Sequence, residues 1–427
     1  MIALLLTLLA APDTLELSLG QALDVALKHS PAQTQVSASR SQGTLKLIRG
    51  IGALVPTPSA SVSYGNSKER SQLLPDSTIA TSGWTGTAAL NQVVFDPQVF
   101  AGVANAIIYA GYYADDARDK LARLIYDVTS DYLGLLTARL LRDAAASALD
   151  RADDNLRLTS EKLRLGAASQ IDVMRSDVFR SQAQIQLLTS DKTLGVANAT
   201  FLATAGITGD VAVKPTEQLT APADFEVTNA DSLVSEIERR NPGFKLAVKS
   251  STISKLNLVA SAASILPSAS VYWSSDYADT LFPSSLKHWD NNDNISYGLR
   301  LSFPLLDIKS YILGIADASV QSRLARAGAA AARLQVRSTA TSAVLGYEEA
   351  RQRYDYAKRN LELNQELYRL AQEQQRLGAI SLIDFFSVET NLAQAQATYV
   401  QALSDTYVQA AQISYLLGRT QPVAPAR

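Results

Sequence analysis

Two aspartates, Asp172 and Asp384, stand where an acidic side chain could carry chemistry. Each closes a nearly identical phrase, RLGAASQID at 164–172 and RLGAISLID at 376–384, with seven of nine residues shared and starts 212 residues apart. Carboxylates in such a pair can trade protons, bind a metal, cap helices or line a pore with negative charge. An acid–base pair has to meet in one pocket, whereas these two repeat at separate turns. The remaining inventory for catalysis is thin. The chain has no cysteine and only two histidines, His29 and His288. That removes thiolate ligands and a Cys nucleophile. Two isolated imidazoles fall short of the three or four ligands a zinc site takes, and each reads as an ordinary surface or packed side chain. There is no nucleophile motif and no glycine-rich phosphate loop. The expectation is no enzyme, no cofactor and no metal. A formal net charge of −2 gives no reason to expect nucleic acid.

The elements around the two phrases repeat as well. ALKHSPAQTQVSAS around Pro31 matches EIERRNPGFKLAVKS around Pro242, each reading as a helix that restarts at proline. PSASVSYG at 58–65 matches PSASVYWS at 267–274. LNQVVFD ends at Asp96 and SFPLLD at Asp307. The chain therefore reads as two tandem copies of one unit of about 210 residues. The 427 residues exceed an ordinary compact domain, and 47% hydrophobic content suits a folded protein. The first repeat is placed at 12–212 and the second at 229–418. A linker is placed at 213–228 and a tail at 419–427. The start, MIALLLTLLAA, is too short to span a bilayer and reads as a signal peptide over 1–11, closed by Pro12 and Asp13.

From Gln98 to Leu165, and again from Ile308 to Leu377, there is no proline. Each run predicts a helix near 100 Å long at 1.5 Å per residue. Tyr347, Ala350, Tyr354, Ala357, Leu361, Asn364, Tyr368 and Ala371 alternate steps of three and four. Phe385, Val388, Leu392, Ala395, Tyr399, Ala402, Ile413 and Leu416 keep the same rhythm. That spacing predicts coiled-coil packing, with alanine letting helices approach closely. Gly166 and Gly378 suit a helix C-cap, Ser169 and Ser381 the next N-cap, and Asp172 and Asp384 the third residue of a capping box.

Strand signals sit between the helices. Ser59, Ser61 and Ser63 alternate with Ala60, Val62 and Tyr64. Ile295, Tyr297, Leu299, Leu301 and Phe303 alternate with Ser296, Gly298, Arg300 and Ser302. Ala269, Val271 and Trp273 alternate with Ser268, Ser270 and Tyr272, while 84–95 alternates less cleanly. Polar segments, NSKERSQLLPDSTIATSG and DTLFPSSLKHWDNNDN, divide each pair. Period two with one apolar face predicts strands of about ten residues, the length of a tilted membrane strand. Tyr64, Trp84, Trp273, Tyr277, Trp289 and Tyr297 lie near the strand ends, as aromatic girdles do. Four strands cannot close a barrel, so a membrane sheet of this size requires several chains to share one.

This arrangement resembles the TolC-like outer-membrane efflux proteins over nearly the whole chain, from about Leu17 to Gly418. The doubled RLGA-x-S-x-I-D phrase and the VVFD and PLLD segments that precede long helices carry the resemblance most specifically. It implies a mixed α+β membrane protein. Three chains with four strands each would form a shared trimeric 12-stranded transmembrane β-barrel in the outer membrane of a Gram-negative bacterium. Their helices would form a long coiled-coil barrel in the periplasm. The implied role is the exit duct of a tripartite efflux or type I secretion system. Its partners would be a periplasmic adaptor, an inner-membrane transporter and outer-membrane lipid. The resemblance places Arg164, Leu165, Gly166, Ser169, Arg376, Leu377, Gly378 and Ser381 at tips that meet the adaptor, and Asp172 and Asp384 at the pore gate. The chain departs from the best-known member at Ile380, which replaces a basic gate residue, and at Ser387, which replaces a second acid. Arg164, Lys162, Arg175 and Arg376 remain as candidate partners for the aspartates. The competing reading is a soluble or periplasmic coiled-coil scaffold, which leaves the strands and the signal unexplained.

Overall fold

The long helices form where proline is missing and alanine, leucine and arginine recur. The computed structural model describes residues 14–70, 78–209, 211–219, 222, 229–282, 289–290, 293–303 and 308–421. The expected signal, the linker residues 223–228, His288, the PLLD segment and most of the C-terminal tail lie outside the described residues. Two units emerge. The first comprises residues up to 38, 115–244 and 332–427, and the second comprises 39–114 and 245–331.

The first unit carries the coiled helices. Strand β1 (Thr14–Leu17) is followed by α1 (Leu19–His29), which starts on a capping box between Ser18 and Gln21. The unit includes most of α3 (Pro97–Arg164), all of α4 (Gln170–Ala205) and α5 (Ala230–Arg240), most of α7 (Ile308–Arg376) and all of α8 (Leu382–Leu416). Every member of the Tyr347–Ala371 stripe on α7 is buried or half-buried, as is every named stripe residue on α8. Two apolar cores result, built from corresponding parts of the two repeats. One packs Leu19, Leu23 and Ala26 of α1 against Leu124, Val128 and Tyr132 of α3 and Phe201 of α4. The other packs Leu233 and Ile237 of α5 against Val344 and Tyr347 of α7 and Tyr407 and Ile413 of α8. Each large apolar side chain so buried contributes about 1.5–3 kcal/mol. Asn241 precedes the proline that opens the next helix. Its side chain accepts from Phe244 N–H (3.0 Å) and donates to the Leu416 carbonyl (3.1 Å).

Two short strands were not foreseen, β1 and its partner. Residues read as the junction to a linker form β4 (Ala212–Pro215), parallel to β1 with Thr14 opposite Ala212. Four residues are too few to show a period-two pattern, and the partner strand lies nearly 200 residues away.

The second unit holds the sheet. It also contains most of α2 (Pro31–Gly52) and α6 (Pro242–Ala263) and the first turns of α3 and α7. Strands β2 (Thr57–Arg70), β3 (Thr78–Phe95), β5 (Ser268–Asp279) and β6 (Asp293–Ser302) pair antiparallel in that order. The first hairpin is longer than the expected ten residues. Its polar flanks still pair, because backbone groups rather than side chains make the ladder. A register shift between Val93 and Phe95 accounts for the weaker alternation there.

Register fixes the two faces. Val62 opposes Gly86, Tyr64 opposes Trp84, Trp273 opposes Tyr297 and Val271 opposes Leu299, giving one apolar face. The other face is bonded across the strands, Ser63 to Thr85 (2.9 Å), Thr87 to Asp276 (2.8 Å) and Ser274 to Ser296 (2.8 Å). Arg300 lies over the Tyr272 ring at 4.8 Å on this polar face. Val62, Leu90, Val271, Trp273, Ile295, Leu299 and Leu301 remain exposed. Among the described residues no helix is long and apolar enough to cross a membrane.

Candidate functional site

Both tips are built by the same short chemistry. Helix α3 ends at Arg164, and Gly166 follows in the left-handed region at φ 74°. Gly166 N–H donates to the Leu163 carbonyl (2.9 Å) and Ala167 N–H to the Lys162 carbonyl (2.7 Å). The second tip repeats this. Gly378 has φ 72°, its N–H donates to Gln375 (3.2 Å), and Ala379 N–H donates to Gln374 (2.8 Å). The pattern is a Schellman cap, which satisfies the last carbonyls of a helix and requires positive φ.

Serine then starts the returning helix. Ser169 Oγ accepts from Asp172 N–H (3.2 Å), and the Asp172 carboxylate accepts from Ser169 N–H (3.0 Å) and Ser169 Oγ (2.7 Å). Ser381 Oγ accepts from Asp384 N–H (3.2 Å) and its hydroxyl donates to Asp384 Oδ2 (2.6 Å). The Ser169 hydroxyl, then its backbone N–H and the nearby Arg175 charge hold the Asp172 carboxyl below the usual carboxylate range. The expected capping box is therefore complete at Asp172. At the second tip Ser381 caps the helix and, among the described residues, the Asp384 carboxylate bonds the serine hydroxyl without a return bond from its backbone N–H. Among the described residues neither aspartate forms an ion pair. Of the candidate partners, Arg175 acts on Asp172 only through space, and Arg376 pairs with Glu373 instead (3.2 Å).

Each tip presents an apolar side chain outward beside an exposed arginine. Leu165 and Leu377 are 77% and 76% exposed at matching positions. Behind them, Phe179 of α4 and Phe386 of α8 stack at 4.3 Å and 8°, joining the two returning helices. A groove of about 610 Å³ beside this stack is lined by Ile171, Met174, Val178, Ile383 and Phe386. The ring stack escaped the sequence reading. The two phenylalanines fall at different offsets from their aspartates, so the repeat did not pair them.

A second feature was missed just above the tip. Glu389 of α8 is only 3% exposed. Its Oε2 accepts from Asn155 of α3 (2.9 Å), and its Oε1 accepts weakly from the Tyr368 hydroxyl of α7 (3.4 Å). Arg151 Nε is 3.6 Å from Oε1. One signal could have found it. Glu389 falls four residues after Phe385 and three before Leu392, so a charged side chain occupies the apolar stripe.

No protein-family model matches the chain. Among curated proteins, the outer membrane efflux protein BepC of Brucella suis is 21% identical over 359 residues, which cover 82% of this chain and 75% of that protein. Among solved structures, the CmeC outer membrane channel of Campylobacter jejuni superposes with a TM-score of 0.80 at 14% identity, covering 94% of this chain and 85% of that one. The chain is similar to an outer membrane efflux protein and shares its fold with outer-membrane channels. The outer membrane protein VceC of Vibrio cholerae shares the fold, with a TM-score of 0.75 at 15% identity over 94% of this chain and 97% of that one. In this shared fold one chain carries both the sheet and the doubled helical tips, which a plain coiled-coil scaffold does not need.

Proposed function

We propose that the protein is the outer-membrane exit duct of a tripartite efflux or type I secretion system in a Gram-negative bacterium, with its helices in the periplasm. The four-stranded sheet is the observation that carries this. Among the described residues it ends on β2 at one edge and β6 at the other, and much of its apolar face is exposed, including Val62, Val271, Leu299 and Leu301. In lipid each unpaired edge group would cost several kcal/mol, so the strands need neighbours. Three copies supply twelve strands and a closed barrel with the bonded polar face turned to the lumen. Second copies also suit the helices. Ile171, Met174, Val178, Ile185, Leu188 and Val196 form an exposed apolar stripe along α4, and Tyr356, Leu363, Leu367 and Leu370 form another along α7.

The tips are the proposed docking ring for a periplasmic adaptor, which links the duct to an inner-membrane transporter. Two near-equal tips per chain give a trimer six, and Leu165 and Leu377 supply each with an apolar anchor. Arg164 and Arg376 flank these leucines, and Gly166, Ser169, Gly378 and Ser381 shape the turns. Asp172 and Asp384 would narrow the mouth as a ring of carboxylates while still capping their helices. Ile380 and Ser387 leave that ring without the family's basic latch, so charge rather than a salt bridge would govern it. The test is insertion of the purified protein into planar bilayers. Discrete channel currents, with recovery from the outer-membrane fraction of cells, are expected. Recovery in the soluble fraction with no current would favour the scaffold.

A further inference from the structure

We infer that Glu389 is a positioning residue for the mouth of the duct: with Arg151, Asn155 and Tyr368 it holds the ends of α3 and α7 against α8, and proton uptake by its carboxyl tightens that junction. The inference rests on the proposed duct, because it assigns the junction to the narrow end. Glu389 lies five residues beyond the Asp384 cap, which is about 7.5 Å along α8 at 1.5 Å per residue. The helix ends it touches are equally near their tips. Asn155 lies nine residues before the end of α3 and Tyr368 eight before the end of α7.

The junction is poorly equipped for a charged carboxylate. Asn155 gives one good neutral hydrogen bond, and Tyr368 gives one at the limit of length. Arg151 faces the carboxylate from α3 across 3.6 Å, and among the described residues its buried Nε has no hydrogen-bond acceptor. Its guanidinium lies 5.9 Å from the centre of the Tyr368 ring, and Gln372 Nε2 donates to the Tyr368 oxygen (3.0 Å). Among the described residues Arg151 is the one charged group acting on Glu389. Tyr368 of α7 is the other titratable neighbour, and burial pushes its phenol up, so it stays a neutral donor. Burying a carboxylate costs more than a loose cation and two neutral donors return. Burial accordingly pushes the Glu389 carboxyl up to about 7, against the pull of Arg151, Tyr368 and Asn155.

The direction follows by linkage. The packed junction binds the proton more tightly than a loosened, wetted junction, where the carboxyl returns toward its ordinary value of 4.5. Acidification through the window between that value and about 7 therefore favours the packed state. Alkaline pH favours separation of α8 from α3 and α7. An exit duct meets such changes because the outer membrane exposes it to the medium.

Single-channel conductance of the reconstituted full-length protein, measured from pH 8 to pH 5.5, tests this. The parent should lose conductance several-fold as pH falls through the neutral range. Glu389→Gln, an isosteric stand-in for the protonated acid, should be low and flat across the whole range. A pH response that survives in Glu389→Gln would overturn the inference while leaving the duct itself standing. A second measurement does not depend on current. The chain has no cysteine, so Leu165→Cys/Leu377→Cys can carry spin labels on the two tips. The label distance in the otherwise parental protein should shorten on acidification, and an unchanged distance would reject the junction as a pH-responsive element. A parent protein that forms no channels would count against the duct, and the distance measurement would still decide the role of Glu389.

Discussion

Gly166 and Gly378 take a backbone conformation that side chains resist, yet neither glycine is crowded. A Cβ at either position would meet nothing within 4 Å. The cost of substitution is therefore conformational, about 1–2 kcal/mol for a residue held in the left-handed region. The double variant Gly166→Val/Gly378→Val should fold and insert, but with distorted tips. Adaptor-dependent export is expected to fall while outer-membrane yield holds, as measured by cargo export and membrane fractionation in parallel. Undiminished export would mean that the adaptor does not read these turns. The aspartates beside them allow a sharper test. Asp172 is held charged by Ser169, so its capping contribution is present above the unfolded carboxylate value near 4 and is lost only as pH falls through its lower folded value. At neutral pH both readings of the aspartates survive, cap and gate. Asp172→Asn/Asp384→Asn keeps size and hydrogen bonding and removes charge. If six carboxylates ring the mouth, the parent is cation-selective and the double variant less so, judged by reversal potentials in a salt gradient. Identical reversal potentials would leave the residues as caps alone.

At the scale of elements, the sheet gives the cleanest discrimination. Leu299 sits on the exposed apolar face opposite Val271, and Ser302 sits on the polar face opposite Ser268. A charge facing lipid near the midplane costs roughly 2–4 kcal/mol. Leu299→Arg should sharply reduce assembled protein in the outer membrane and Ser302→Arg should not, with heat-modifiable band intensity as the readout. Equal losses would show that the apolar face is not the lipid face. Much of this level could be read in the sequence. Missing proline marked α3 and α7, steps of three and four marked their buried stripes, and alternation marked β5 and β6. What escaped has a physical reason in each case. The β1–β4 pair is too short for periodicity. The extra length of β2 and β3 is written in backbone bonding that polar side chains conceal. The apolar face also hides a local device at Gly86, where a Cβ would stand 2.4 Å from the Trp289 ring. Trp289 Nε1 donates to Ser275 Oγ (2.7 Å), so the indole covers a polar group on that face. A lone tryptophan after a polar segment gives no sign of such a seat. The tip caps were legible because their chemistry is local, whereas Glu389 joins three helices that are distant in sequence.

For the whole molecule, duplication explains why one chain carries both its sheet and its two tips in pairs. Each repeat supplies one hairpin, one apolar core and one capped turn, so a single chain is complete in its cores and unfinished at its edges. The unfinished parts are the outer strands β2 and β6, the apolar sheet face and the stripes on α4 and α7. All are satisfied together if three copies close around one axis. The most direct test of that claim is the mass of the assembly extracted from outer membranes in mild detergent, by native mass spectrometry. The account predicts a species containing three copies of the chain, and that species should be the one that conducts in bilayers. A monomer that inserts and conducts by itself would contradict it.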